Sequence, residues 1–125
     1  DLKVNGHEIT YRGRLNISFR TDRNKRLIAF IGNNCTDLML NRVHYRFAQQ
    51  PVDIDYLPTG DKPNHYILRI TGEGEISLPA PDGATRATLK NGKQTVKNRI
   101  EAGNLIFQVD KSMSGRWLEL TYRQK

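Results

Sequence analysis

The chain has 125 residues, the length of one ordinary domain, and its 37% hydrophobic and 26% charged residues exclude both a disordered and a membrane-embedded composition. Lys and Arg number 20 against 13 Asp and Glu, a formal charge of +7 that favours anionic partners without choosing among nucleic acids, acidic or sulfated glycans and anionic headgroups. Cys35 is the only cysteine, which excludes an internal disulfide and a Cys-based zinc site; it is expected to pack as a small buried apolar group.

The start Asp1-Leu2-Lys3 reads as a processed protein or a piece of a longer polypeptide. From there apolar and polar residues alternate in short runs, the period of half-buried strands. The run 8–12 sets Ile9 and Tyr11 opposite Glu8, Thr10 and Arg12, and Gly13 permits a turn into 14–20, where Leu15, Ile17 and Phe19 oppose Arg14, Asn16, Ser18 and Arg20. The run 27–31 is apolar throughout, as for a strand covered on both faces, and Gly32-Asn33-Asn34 is expected to end it.

Runs 36–40 and 43–48 flank Asn41-Arg42 at hairpin spacing. Run 52–56 alternates between prolines, and 57–64, with two prolines, a glycine and an aspartate, reads as a long loop. Strands are expected at 66–71, 75–78, 85–89, 94–96, 105–109 and 117–123, with Asn91-Gly92 suited to a type I′ hairpin turn and 98–102 able to hold a short helical turn. About eleven or twelve short strands at this spacing predict a single all-β domain, an antiparallel β-sandwich of jelly-roll or immunoglobulin-like kind. The alternation assigns Leu15, Ile17, Phe19, Val43, Tyr45, Phe47, Val52, Ile54, Leu105, Phe107, Leu118 and Leu120 to the core.

Candidate binding residues are those that break the alternation or gather charge on polar faces. Trp117 is out of phase with Leu118, Leu120 and Tyr122 and shares a face with Glu119, Thr121 and Arg123, so it offers a ring to stack on a sugar or a base unless a covering layer hides it. His44 and Arg46 stand side by side on one polar face. Together with Arg12, Arg14, Arg20 and Arg69 they form a basic sheet surface if their strands are neighbours, and a planar guanidinium fork suits carboxylate, sulfate or phosphate. Asp53 and Asp55 share one strand face, which fits ion pairing with nearby arginines better than cation binding or acid–base catalysis.

His7, His44 and His65 lack zinc-site spacing, and neither a Gly-x-Ser-x-Gly nucleophile turn nor a phosphate-binding Gly-rich loop occurs in the sequence. The reading is therefore of a non-catalytic chain without cofactor or metal.

The stretch from His65 to Pro79, then Ala84-Thr85-Arg86-Ala87-Thr88-Leu89 with Asn91-Gly92, and the closing Gly115-Arg116-Trp117-Leu118-Glu119-Leu120 resemble the terminal β-sandwich accessory domains of multidomain glycoside hydrolases and polysaccharide lyases. The resemblance covers the second half of the chain and assigns no binding residue. The leading reading is an accessory module of a larger extracytoplasmic protein that packs on a catalytic domain of the same polypeptide or binds an acidic polysaccharide; the residues themselves suggest the binding mode, arginine forks on the anionic groups and Trp117 or a tyrosine stacked on a sugar ring. The alternatives are a nucleic-acid-binding β domain, for which His44-Tyr45-Arg46-Phe47 interleaves basic and aromatic residues, and a structural assembly module that pairs through exposed strand edges.

Overall fold

The computed structural model describes residues 2–4, 6–14 and 17–124. Among them are fourteen strands and no helix: β1 Leu2–Val4, β2 His7–Arg12, β3 Ile17–Thr21, β4 Leu27–Cys35, β5 Asp37–Leu40, β6 Val43–Arg46, β7 Val52–Pro58, β8 His65–Thr71, β9 Gly74–Pro79, β10 Ala84–Asn91, β11 Gln94–Val96, β12 Asn98–Glu101, β13 Asn104–Val109 and β14 Trp117–Gln124. All pairings are antiparallel. One sheet has seven strands in the order β11-β10-β14-β8-β7-β4-β3, a second has β1-β2-β5-β6, and a third has β12-β13-β9.

The two smaller sheets meet edge to edge where the Ser77 N–H donates to the Phe47 carbonyl at 2.9 Å, just beyond β6. Together they form a layer facing the seven-stranded sheet. Leu38, Leu40 and Tyr45 from the first, Ile76, Leu78, Leu105 and Phe107 from the second, and Phe30, Tyr56, Leu68 and Leu118 from the large sheet share one buried cluster. The chain is an antiparallel β-sandwich.

Contacts across the core tie the layers. Phe30 stacks on Phe47 with centroids 4.7 Å apart, and the Tyr45 hydroxyl accepts the Leu27 N–H at 3.1 Å. The Tyr56 hydroxyl donates to the Pro79 carbonyl at 2.8 Å, so its one proton is spent, and the 2.6 Å bond between the two hydroxyls must be donated by Tyr122. Burial raises both phenols well above the usual tyrosine value. Cys35 is fully buried, its thiol pushed up to about 11 by loss of solvent. Nearby, Gly32 leaves room for aromatic rings: a Cβ there would sit 2.5 Å from the Phe30 ring and 2.9 Å from the Tyr11 hydroxyl.

Several expectations change. The segment 98–102 holds β12 and its turn, because Asn98, Arg99, Ile100 and Glu101 pair with Phe107, Ile106, Leu105 and Asn104. Gly32-Asn33-Asn34 does not end β4; the strand runs on to Cys35 through an irregularity in its pairing with β7, where Asn34 takes a φ of 48°. Asn91 pairs with Gln94, so the hairpin turn is Gly92-Lys93, with the positive φ at Gly92 (62°) and none at Lys93, the type II′ pattern rather than I′. The Asn41-Arg42 turn does have positive φ at both residues, 50° and 70°, as type I′ requires.

Val43 is no core residue. It directly follows that turn at the end of its sheet and is 48% exposed, although Tyr45 and Phe47, of the same parity, are buried. Arg14 precedes β3 instead of belonging to it, its N–H donating to the Asn33 carbonyl at 3.0 Å, and Leu15 and Asn16 lie outside the described residues. Ile17 and Phe19 pack partly buried against the core.

Candidate functional site

The β5–β6 hairpin decides which side chains of its strands face solvent. With Asn41 and Arg42 as the two loop residues, Leu40 pairs with Val43, Met39 with His44, Leu38 with Tyr45 and Asp37 with Arg46. Parity then sends Leu38 and Tyr45 inward, and Asp37, Met39, His44 and Arg46 outward. Asn41 fixes β2 to this hairpin: its N–H donates to the Glu8 carbonyl at 2.9 Å and its Oδ1 accepts the Glu8 N–H at 3.1 Å. The register of β2 against β5 places Thr10 beside Met39 and Arg12 beside Asp37.

Two rungs result on one outer face, Arg12–Asp37–Arg46 and Thr10–Met39–His44. They line an open groove of about 490 Å³. A second groove of about 450 Å³ shares Thr10 and Met39 with it and continues toward Glu8 and Arg42.

Asp37 is not shared between the two guanidiniums. Its Oδ2 lies 2.5 Å from His44 Nε2. Burial acts to raise the Asp37 carboxyl, but hydrogen bonds from Thr36 and His44 and the charges of His44 and Arg46 outweigh it and hold the group below its usual value. Arg12 and Arg46 are both exposed and, among the described residues, neither forms an ion pair. Two guanidinium forks thus flank one carboxylate that is already committed to the imidazole.

The remaining candidates lie elsewhere. Trp117, Arg69 and Asp55 form a rung across β14, β8 and β7 on the outer face of the seven-stranded sheet. The Arg69 guanidinium stands 4.4 Å from the centre of the Trp117 ring and its Nε donates to Asp55 at 3.0 Å. Trp117 is 47% exposed, so no layer covers it.

Arg20, opposite Ala29, and Arg123, opposite Arg86, share that outer face. Because the two sheets bury their inner faces against each other, this face looks away from the one bearing Arg12, His44 and Arg46. The basic surface conditional on neighbouring strands therefore divides: Arg12, His44 and Arg46 lie on one side of the sandwich, Arg20 and Arg69 on the other with Trp117 and Arg123, and Arg14 in the connection between β2 and β3. Asp53 departs from the expected ion pairing, since its Oδ1 accepts the Asn34 N–H at 2.8 Å.

Asp37, Thr10 and Met39 were not legible as site residues. They belong to the face only through the registers of β2, β5 and β6, and the one local signal was the Asn41-Arg42 hairpin that sets two of the three strands.

Comparison of the chain with family models, with curated proteins and with solved structures finds no match.

Proposed function

We propose that the chain is a non-catalytic accessory module that holds an acidic glycan on the outer face of its four-stranded sheet. The observation that carries this reading is the Arg12–Asp37–Arg46 rung, with two exposed arginines on either side of a carboxylate that His44 already occupies. Each guanidinium can give two parallel hydrogen bonds to a uronate carboxylate or a sulfate. The groove is open along the sheet, a shape that admits a polymer rather than enclosing a small molecule.

The resemblance of the second half of the chain to accessory domains supports a place within a larger extracytoplasmic polypeptide. On this reading Trp117 takes no part in the same contact, since it stands on the opposite face.

The aromatic residues that interleave with the basic ones in and just beyond β6 weigh against a nucleic-acid partner here. Tyr45 and Phe47 are 6% and 1% exposed, so they offer bases no ring to stack on.

Retention on an immobilised polyuronate tests the reading. Wild-type protein is expected to be retained at low salt and released as salt rises, and the Arg12→Ala/Arg46→Ala protein to be retained far less. A single-stranded oligonucleotide that binds as tightly as the polyuronate would transfer the site to the other class of polymer.

A further inference from the structure

On the outer face of the three-stranded sheet, in the same layer as the four-stranded one, and onward to the β10–β11 hairpin, two grooves abut. One, of about 330 Å³, lies over the three-stranded sheet between Glu75, Arg99 and Ile106. The other, of about 270 Å³, runs between the β10–β11 hairpin and the turn after β13, beside Gln94 and Asp110. Lys97 and Gln108 line both, so they stand where the two join. Lys97 connects β11 of the large sheet to β12 of the small one, and this crossing of the chain between layers makes the trough continuous.

The polar groups along it fall into two kinds. Some are satisfied within the fold: Arg99 is held by Glu101 at 2.9 Å and faces Glu75 at 3.9 Å, and the Asp110 Oδ1 accepts the Ser112 hydroxyl at 2.6 Å and the Met113 N–H at 3.1 Å. The side chains of Gln94, Lys97 and Gln108 are exposed and make no hydrogen bond or ion pair among the described residues. Two free carboxamides, each with a donor and an acceptor, match the paired hydroxyls of a sugar ring. Half-buried Ile106 offers an apolar floor for the C–H face of that ring, and Lys97, which forms no ion pair, is the one cation among the described residues that lines both grooves.

We infer that this trough is a second glycan subsite, one that takes a short stretch of a linear uronate-containing oligosaccharide, with its carboxylate at Lys97 and its hydroxyls at Gln94 and Gln108. The inference rests on the reading of the chain as a glycan-binding module, but it uses none of the residues of the four-stranded sheet.

Titration of isotope-labelled protein with a short linear oligouronate, followed through the side-chain amide resonances of Gln94 and Gln108, tests it. Both resonances are expected to shift saturably, in wild-type protein and in Arg12→Ala/Arg46→Ala alike. Lys97→Gln, an exposed change that leaves the rest of the spectrum in place, is expected to weaken this response about tenfold, the scale of one charge-assisted hydrogen bond.

Silent carboxamides alongside a response at Arg12 and Arg46 would overturn the subsite and leave the proposed function standing. Silence at both places would overturn both. An equal response to a neutral oligosaccharide of the same length would overturn the assignment to uronates.

Discussion

Asp37 sets the character of the outer face because it stands between two guanidiniums and bonds to neither. Its carboxyl is held below the usual carboxylate value in the folded chain by hydrogen bonds from Thr36 and His44 and the charges of His44 and Arg46, which outweigh the effect of burial. Such a group stabilises the fold fully above its unfolded value, and the contribution is lost as pH falls through the lowered folded value. Asp37→Asn is therefore expected to flatten the acid limb of melting temperature against pH; an unchanged limb would show that the His44 and Arg46 interactions contribute nothing. The same substitution removes the one negative charge between Arg12 and Arg46, and affinity for an acidic glycan is expected to rise at neutral pH. A fall would mean that Asp37 orients the arginines instead of competing with the ligand.

At the scale of elements, turns and buried hydroxyls fix the registers on which the faces depend. Arg42 carries a φ of 70° without being glycine. The left-handed conformation costs a side-chain-bearing residue about 1–2 kcal/mol, of which glycine's extra chain entropy gives back roughly 0.5–1. Arg42→Gly is thus expected to raise the melting temperature, and a decrease would show that the arginine side chain stabilises the hairpin.

The relay from Tyr122 in β14 through Tyr56 in β7 to the Pro79 carbonyl of β9 links the two layers, and its direction makes the two deletions unequal. Tyr122→Phe leaves the Tyr56 proton on Pro79 and should cost about 0.5–1.5 kcal/mol. Tyr56→Phe strands a buried Tyr122 hydroxyl and should cost about 1–3 kcal/mol more than a satisfied bond would. Denaturant unfolding of the two variants measures the order, and equal costs would refute the relay.

Strand existence and facing were legible because each is a property of a few consecutive residues: Tyr45, Phe47, Val52, Ile54, Leu118 and Leu120 are buried as their alternation requires. Errors arose where a neighbour overrides the local pattern. Val43 has core parity but sits beside a turn at a sheet end, and β12 has a sequence with little strand character that the pairing with β13 holds extended. The division of the candidates between faces could not be read, since it depends on which layer each strand joins. His44 and Trp117 look equally available in sequence, and only the packing of β6 and β14 into different layers separates them.

Over the whole molecule the formal charge of +7 draws any polyanion toward the surface, and the sandwich then offers it two outward faces of different chemistry. One carries unpaired arginines beside a His–Asp pair. The other carries an aromatic ring whose neighbouring guanidinium is already stacked and paired, an arrangement that leaves Arg69 little to give an anion. Bulk charge alone would make binding insensitive to which arginine is removed.

The most direct measurement is the affinity of an oligouronate at fixed low salt, read from the backbone amide resonances of β2, β5 and β6, for three proteins: wild type, Arg12→Ala/Arg46→Ala and Trp117→Ala. Loss of about 1.5–3 kcal/mol per arginine, the value of a charge-assisted hydrogen bond, with Trp117→Ala indistinguishable from wild type, is the expected result. Affinity that survives removal of both arginines, or that falls with Trp117, would contradict the placement of the glycan on the four-stranded sheet.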